Sequence, residues 1–343
     1  MKRLNVILLV SLLILTTVLS GCTQNTKDKE MRLSVVCTVF PQYDWVRQIL
    51  GDKADGVELT LLLANRIDLH SFQPSVDDIV KISGCDLFIY VGGESDGWVG
   101  GALGEAQNKN MIMINLLDAL GDAAKLEESI EGMEEDSQNH DHYDDHDHDE
   151  GHRADDGEEG HAHEAEYDEH VWLSLKNAKT FCALIADALS SLDANNAGAY
   201  QNNLASYTEK LSALDAEYQT VVDAARVKTV LFADRFPFRY LVDEYGISYY
   251  AAFAGCSAET EASFATIVFL AQKMDELQLP CVMVTESSDQ SIARTIIQNT
   301  KARDYKINVL DAMQSVSSND VRNGTTYLFI MEGNLEVLKD ALR

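Results

Sequence analysis

The chain has 343 residues and carries 56 Asp and Glu against 27 Lys and Arg, a formal charge of −29. Such a balance repels a polyphosphate backbone, which excludes nucleic acid as a partner, and it attracts cations. The length suits two domains or one large one, and beyond the first twenty residues no apolar run approaches the roughly 20 residues of a spanning helix.

The chain opens with Lys2 and Arg3. Val6 to Val18 follows, apolar except for Ser11, Thr16 and Thr17, and then Leu19-Ser20-Gly21-Cys22. A basic start before a short apolar stretch reads as a secretory signal over residues 1–21. The L-S-G-C ending resembles a bacterial lipobox, which predicts Cys22 as the lipidated first residue of the mature protein. Residues 22–30 then read as a polar tether. Two or three acyl chains anchor firmly, at about 0.8 kcal/mol per buried methylene. The expected location is the extracytoplasmic face of the cell membrane, held there by lipid.

From residue 31 strands and helices alternate. Strands are expected over 33–39, 57–63, 87–91 and 111–116. Helices are expected from Pro41 to Gly51, over 74–83 with Ser75 as the cap, and weakly over 98–107. Residues 31–194 form an N-terminal α/β lobe on this reading. Inside it, residues 126–169 hold 20 Asp and Glu and too little apolar content to pack. Eight of the nine histidines lie here or at its edge: His140, His142, His146, His148, His152, His161, His163 and His170. Neutral imidazole is a good ligand for zinc, so this tract is expected to collect a transition metal.

A helix is expected over 177–192 and one long helix over 195–225, about 45 Å end to end. Residues 226–343 restart the alternation as a C-terminal lobe. Its strands are expected over 229–233, 247–253, 281–285 and 307–310, its helices over 238–244, 260–277, 289–300 and 326–342. The fold class is α/β, with two Rossmann-like lobes of parallel sheet joined by one long rigid helix. Such lobes place a ligand at the carboxyl ends of their strands, in the cleft between them.

Besides Cys22 there are five cysteines, with no C-x-x-C pair and no disulfide assignable. Cys37, Cys85, Cys182 and Cys281 sit in apolar segments and read as small buried residues; the fifth is Cys256. Two histidines stand where structure can hold them. His70 follows the second strand in Asp68-Leu-His-Ser-Phe-Gln-Pro74, and His170 immediately precedes the ordered Val171-Trp172-Leu173.

These segments belong to a longer pattern: V-V-C-T-V-F-P, D-L-H-S-F-Q-P-S-V-D-D-I, C-D-L-F-I-Y-V-G-G-E-S-D-G-W, E-H-V-W-L-S, F-R-Y-L-V-D-E-Y-G-I, E-T-E-A-S and L-D-A-M, in that order over residues 31–343. As a set they resemble the metal-binding lipoproteins of zinc and manganese ABC importers, the ZnuA-like or AdcA-like family. The resemblance implies His70 and His170 as the first two ligands and Asp311 as the fourth. At the third position, where the family has His or Glu, this chain has Arg235, which cannot ligate a cation. Neighbouring Asp234 is the expected substitute, with a histidine lent by the tract as the other possibility. Arg235 needs an anionic partner near the cleft, expected to be Asp311 or Glu286. Two His and two carboxylates suit four-coordinate zinc and also admit manganese; the His tract favours zinc.

No H-E-x-x-H, G-x-S-x-G or P-loop occurs, and Gly92-Gly93 lacks the dinucleotide fingerprint. Carriage is expected, not catalysis. The chain reads as a monomeric zinc-binding component that delivers its ion to an ABC importer permease. The alternatives are a manganese- or iron-binding component of the same importer type, a surface adhesin, or a metal buffer.

Overall fold

The apolar stretches of the first third are short and separated by helices, so no tight turn joins neighbouring strands and they pair in parallel. β1 (Leu33–Cys37), β2 (Val57–Leu61), β3 (Leu87–Tyr90) and β4 (Ile112–Asn115) form one sheet in the order β2-β1-β3-β4. The second lobe repeats that order as β6-β5-β7-β8, with β5 (Thr229–Phe236), β6 (Ser248–Ala254), β7 (Cys281–Thr285) and β8 (Lys306–Leu310). Both sheets are parallel, which is the two-lobed α/β architecture that the alternation predicts. In this computed structural model the described residues are 32–64, 67–104, 106–134, 166–257 and 261–342. The signal segment 1–21, Cys22, the tether, and His140, His142, His146, His148, His152, His161 and His163 lie outside them.

The helices follow their punctuation. α1 (Phe40–Leu50) carries Pro41 in its first turn and stops at Gly51, whose φ of +55° suits glycine. α2 (Val76–Gly84) starts at Ser75, whose Oγ accepts from the Asp78 amide (3.2 Å) while Asp78 Oδ2 accepts from the Ser75 amide (2.9 Å). α3 (Val99–Gly104), α4 (Leu116–Leu120), α5 (Leu175–Leu192), α6 (Ala197–Ala224), α7 (Arg239–Tyr245), α8 (Phe264–Leu277), α9 (Ser291–Asn299), α10 (Ser318–Arg322) and α11 (Tyr327–Ala341) complete the set. α4 and α10 were not expected. Each is five residues long, too short to display a hydrophobic period, and each is set by a cap, Asn115 on the Asp118 amide and Ser317 on the Asp320 amide.

α6 is 28 residues, about 42 Å. It buries Tyr200, Tyr207, Leu211, Leu214, Tyr218 and Val222. Asn203 Nδ2 donates to the Ile49 carbonyl of α1 (2.9 Å), and the Tyr218 hydroxyl donates to the Met331 carbonyl of α11 (2.6 Å). The helix is therefore packed on elements of both lobes rather than strung between them. One core runs through both lobes and includes Trp45, Trp172, Phe181, Tyr218, Phe232 and Tyr327. Trp172 Nε1 donates to the Ala312 carbonyl (2.9 Å), and the Tyr327 hydroxyl donates to the Trp172 carbonyl (2.7 Å). Truncating a tryptophan packed this way costs about 3–5 kcal/mol. A smaller core of Leu231, Leu270, Val284 and Ile296 lies between the second sheet and α8 and α9.

One strand departs from expectation in a way that shapes the site. β5 continues past Ala233 to Phe236, and its pairing with β6 is irregular between Phe232 and Arg235. Such a bulge re-aims the side chains it contains, here Ala233, Asp234 and Arg235. Loops leaving the carboxyl ends of β2, β3, β6 and β8 bear, in order, His70, Ser95, Cys256 and Asp311. This is the edge of the sheets where ligands bind in open α/β folds.

Candidate metal centre

His70 sits in a single 3₁₀ turn, Leu69–Ser71, after β2. Asp68 caps that turn: its Oδ1 accepts from the His70 amide (3.0 Å). The outer ring nitrogen, Nδ1, lies 2.8 Å from Ser95 Oγ and 3.5 Å from Glu169 Oε2. Glu169 is itself fixed, since its Oε1 accepts from the Ser95 amide (2.8 Å). Gly93 makes room for it: at φ +81°, a Cβ on residue 93 would collide with Glu169 Oε1.

His170 is fully buried, just before the turn Val171–Leu173. Asp168 Oδ1 accepts from the His170 amide (2.8 Å) and lies 3.1 Å from His170 Nδ1. The imidazole also meets the Trp172 ring edge-on, centroids 5.4 Å apart. In both histidines Nδ1 is committed to a carboxylate or hydroxyl neighbour, which leaves Nε2 to face inward. That is how proteins orient imidazoles for metals.

The two Nε2 atoms lie 3.4 Å apart. Two nitrogens bound to one tetrahedral zinc at about 2.0–2.1 Å are separated by about 3.3–3.4 Å. The pair as built therefore fits a shared ion. His70 lines a cleft of about 680 Å³ with Asp68, Glu169, Arg235 and Cys256, and the fully buried His170 meets the cleft-lining His70 through its Nε2.

Among the described residues, the group of imidazole, thiol and carboxylate donors within reach of one ion is His70, His170 and Cys256, whose ligand atoms all lie within 4.8 Å of one another. The composition of that group differs from the expected set. Asp234 faces elsewhere: its Oδ1 accepts from the Arg235 amide (2.9 Å), and its Oδ2 accepts from Thr285 Oγ1 (2.7 Å) at the end of β7. The β5 bulge turns it that way. Asp311 is also spoken for. Its Oδ1 accepts from the Met313 amide (2.7 Å), and it lines a separate cavity of about 820 Å³ with Glu286. Arg235 pairs neither with Asp311 nor with Glu286. Its Nη2 donates to Asp68 Oδ2 at 2.6 Å, across the cleft. Asp68 thus holds the His70 turn with one oxygen and neutralises Arg235 with the other. Glu286 accepts instead from the amides of Ala312, Gln314 and Ser315 (2.8, 3.0 and 3.2 Å), shaping the loop that sets Gln314 Nε2 2.9 Å from His170 Nε2.

Electrostatics separate the two histidines. His70 is pushed down to about 3 by burial, by charge on His170 and by Arg235, against the pull of Asp68. Burial also works against charge on His170, yet Asp168, Glu127 and Glu169 outweigh it and hold His170 above the usual imidazole range. Burial pushes Glu169 up to about 7, and Asp311 up to about 7 with help from the Glu286 charge.

Comparison with known proteins supplies the context. The family described as zinc-uptake complex component A, periplasmic, matches residues 35–341. The zinc-binding lipoprotein AdcA of Streptococcus pneumoniae serotype 4 is 31% identical over 339 residues, covering 99% of this chain and 61% of that protein. The chain thus spans about three-fifths of the length of that relative. The high-affinity zinc uptake system protein ZnuA of Bacillus subtilis is 29% identical over 324 residues, 94% of this chain and 92% of that one. Among solved structures, the Zn(II)-bound ZnuA-like domain of Streptococcus pneumoniae AdcA superposes with a TM-score of 0.66 at 25% identity, covering 91% of this chain and 99% of that domain. The metal-dependent lipoprotein YcdH of Bacillus subtilis gives 0.68 at 26%, covering 90% and 99%.

Proposed function

Because the chain belongs to the periplasmic zinc-uptake complex component A family, we propose that it is the extracytoplasmic zinc-capturing component of an ABC importer. It holds one zinc ion through His70 and His170 and passes that ion to the permease, as a monomer anchored to the membrane by lipid on Cys22. The observation that carries this reading is the pair of Nε2 atoms 3.4 Å apart, each backed on its Nδ1 side by an acidic or hydroxyl partner. Relatives named as zinc-binding lipoprotein and zinc uptake protein support the cargo and the anchor. The histidines at 140–163 supply weak, fast-exchanging sites that raise zinc near the cleft. The shared core of the two lobes resists a large hinge motion, so capture proceeds with little domain closure.

The test is zinc titration of the His70→Ala/His170→Ala double variant with residues 135–165 removed. That deletion spares Glu127, which accepts from the Cys256 amide, and Glu134, which accepts from the Ser263 amide. Loss of one-to-one tight binding supports the proposal. Retention of it overturns the proposal.

A further inference from the structure

We infer that Cys256 contributes a thiolate to the captured ion, making the centre a two-imidazole, one-thiolate site that selects zinc over manganese. The inference deepens the proposed zinc-capture role and rests on it. Its first support is position. The Cys256 sulfur is in the one close donor group that the described residues form with His70 and His170. The side chain is half-buried and lines the cleft rather than the core, whereas Cys37, Cys85, Cys182 and Cys281 are buried, and all five are unpaired.

The second support is how the turn after β6 is built. Gly255 lies against His170: a Cβ there would stand 2.9 Å from the Phe236 carbonyl and 3.4 Å from His170 Cε1. The close approach to the Phe236 carbonyl is what calls for glycine, and the turn it permits sets the next residue's sulfur beside the imidazoles. The Cys256 amide donates to Glu127 Oε1 (3.0 Å), so a carboxylate from the first lobe fixes the turn in place.

The third support is charge. Arg235 would repel an incoming dication, but Asp68 engages its guanidinium at 2.6 Å. With Asp234 bonded to Thr285 and Asp311 bonded to the Met313 amide, the second lobe offers the ion one donor of this group, and that donor is sulfur. On capture the S–H bond breaks, a zinc–sulfur bond forms, and the proton passes to bulk water. Soft thiolate favours zinc, while manganese prefers carboxylate and water oxygen.

Zinc-edge X-ray absorption on the full chain, loaded with half an equivalent of zinc so that the tightest site fills first, reads the ligand atoms. The expected spectrum has nitrogen near 2.0–2.1 Å and one sulfur near 2.3 Å. Cys256→Ser should lose the sulfur shell, bind zinc at least about 10-fold more weakly, and discriminate less against manganese. Zinc should also slow alkylation of Cys256 in the unmodified protein, followed residue by residue by mass spectrometry, which keeps the test open if the variant misfolds. A wild-type spectrum of nitrogen and oxygen alone overturns the inference, as does sulfur that persists in Cys256→Ser or a Cys256 that zinc leaves unprotected. In those cases, zinc binding that disappears on replacing His70 and His170 leaves the two-histidine reading standing; binding that survives their replacement sinks both.

Discussion

The two lobes share one strand order, yet they equip the cleft differently. The first lobe and the segment leading into α5 present two imidazoles, each with its own supporting partners: Asp68, Ser95 and Glu169 around His70, and Asp168 around His170. The second lobe turns its carboxylates to other work. Asp234 ties β5 to β7, Asp311 holds the Met313 amide, and Arg235 reaches over to Asp68. What it adds to the donor group is Cys256. The same architecture thus carries two well-supported imidazoles on one side and a charge-compensated, sulfur-bearing face on the other. Topology decides where a ligand can sit; local hydrogen bonding decides which residue is available to be one.

That contrast can be broken most sharply at His170. His170→Ala should lower zinc affinity by about 1,000-fold, roughly 4 kcal/mol, measured by competition with a chelator. A change of a few-fold would mean that the first lobe does not hold the ion. Acidification probes the same half. His170 is held above the usual imidazole range by Asp168, Glu127 and Glu169. A protonated imidazole has no lone pair for zinc and a thiol must lose its proton to bind, so affinity should fall as pH falls from about 7.5 to 5.5, by up to about 10-fold per unit for each proton the ion displaces. A flat profile in zinc titrations would contradict it.

Asp68→Asn tests the bond that crosses the cleft. It leaves Arg235 uncompensated and weakens the charge support behind His70, so zinc affinity should fall about 10-fold, with the loss shrinking at high salt. Asp96 sharpens the view of the first lobe's scaffold. It accepts from the Val91 and Gly92 amides, and burial pushes it up to about 6 from 3.8. The folded state therefore holds its proton more tightly than the unfolded chain, and stability is lost as pH rises from 4 through 6. Asp96→Asn should gain about 1–2 kcal/mol at pH 7.5 and nothing at pH 4, by denaturant unfolding. The smallest effect belongs to the second lobe: Asp234→Asn and Asp311→Asn should each change zinc affinity by less than about 3-fold, because neither carboxylate joins the donor group.

Much of this was legible in the sequence, and the reasons differ by residue. The strands and the long helix follow from apolar runs and their periods. His70 and His170 stood out because histidine is otherwise confined to the acidic tract and because each has acidic neighbours within two residues, Asp68 before His70 and Asp168 before His170. The second lobe was harder to read. Nothing near Asp234 announces the β5 bulge that turns it to Thr285, and the partner of Arg235 lies 167 positions away, at Asp68. Cys256 left one trace: of the five internal cysteines it is the one that does not read as part of an apolar segment.

The account stands or falls on the two rings meeting at one ion. Zinc titration of the tract-shortened protein with both His70 and His170 replaced by alanine addresses that directly. The expected result is no tight equivalent of zinc bound by a protein that still unfolds cooperatively; a full equivalent bound at undiminished affinity would contradict it.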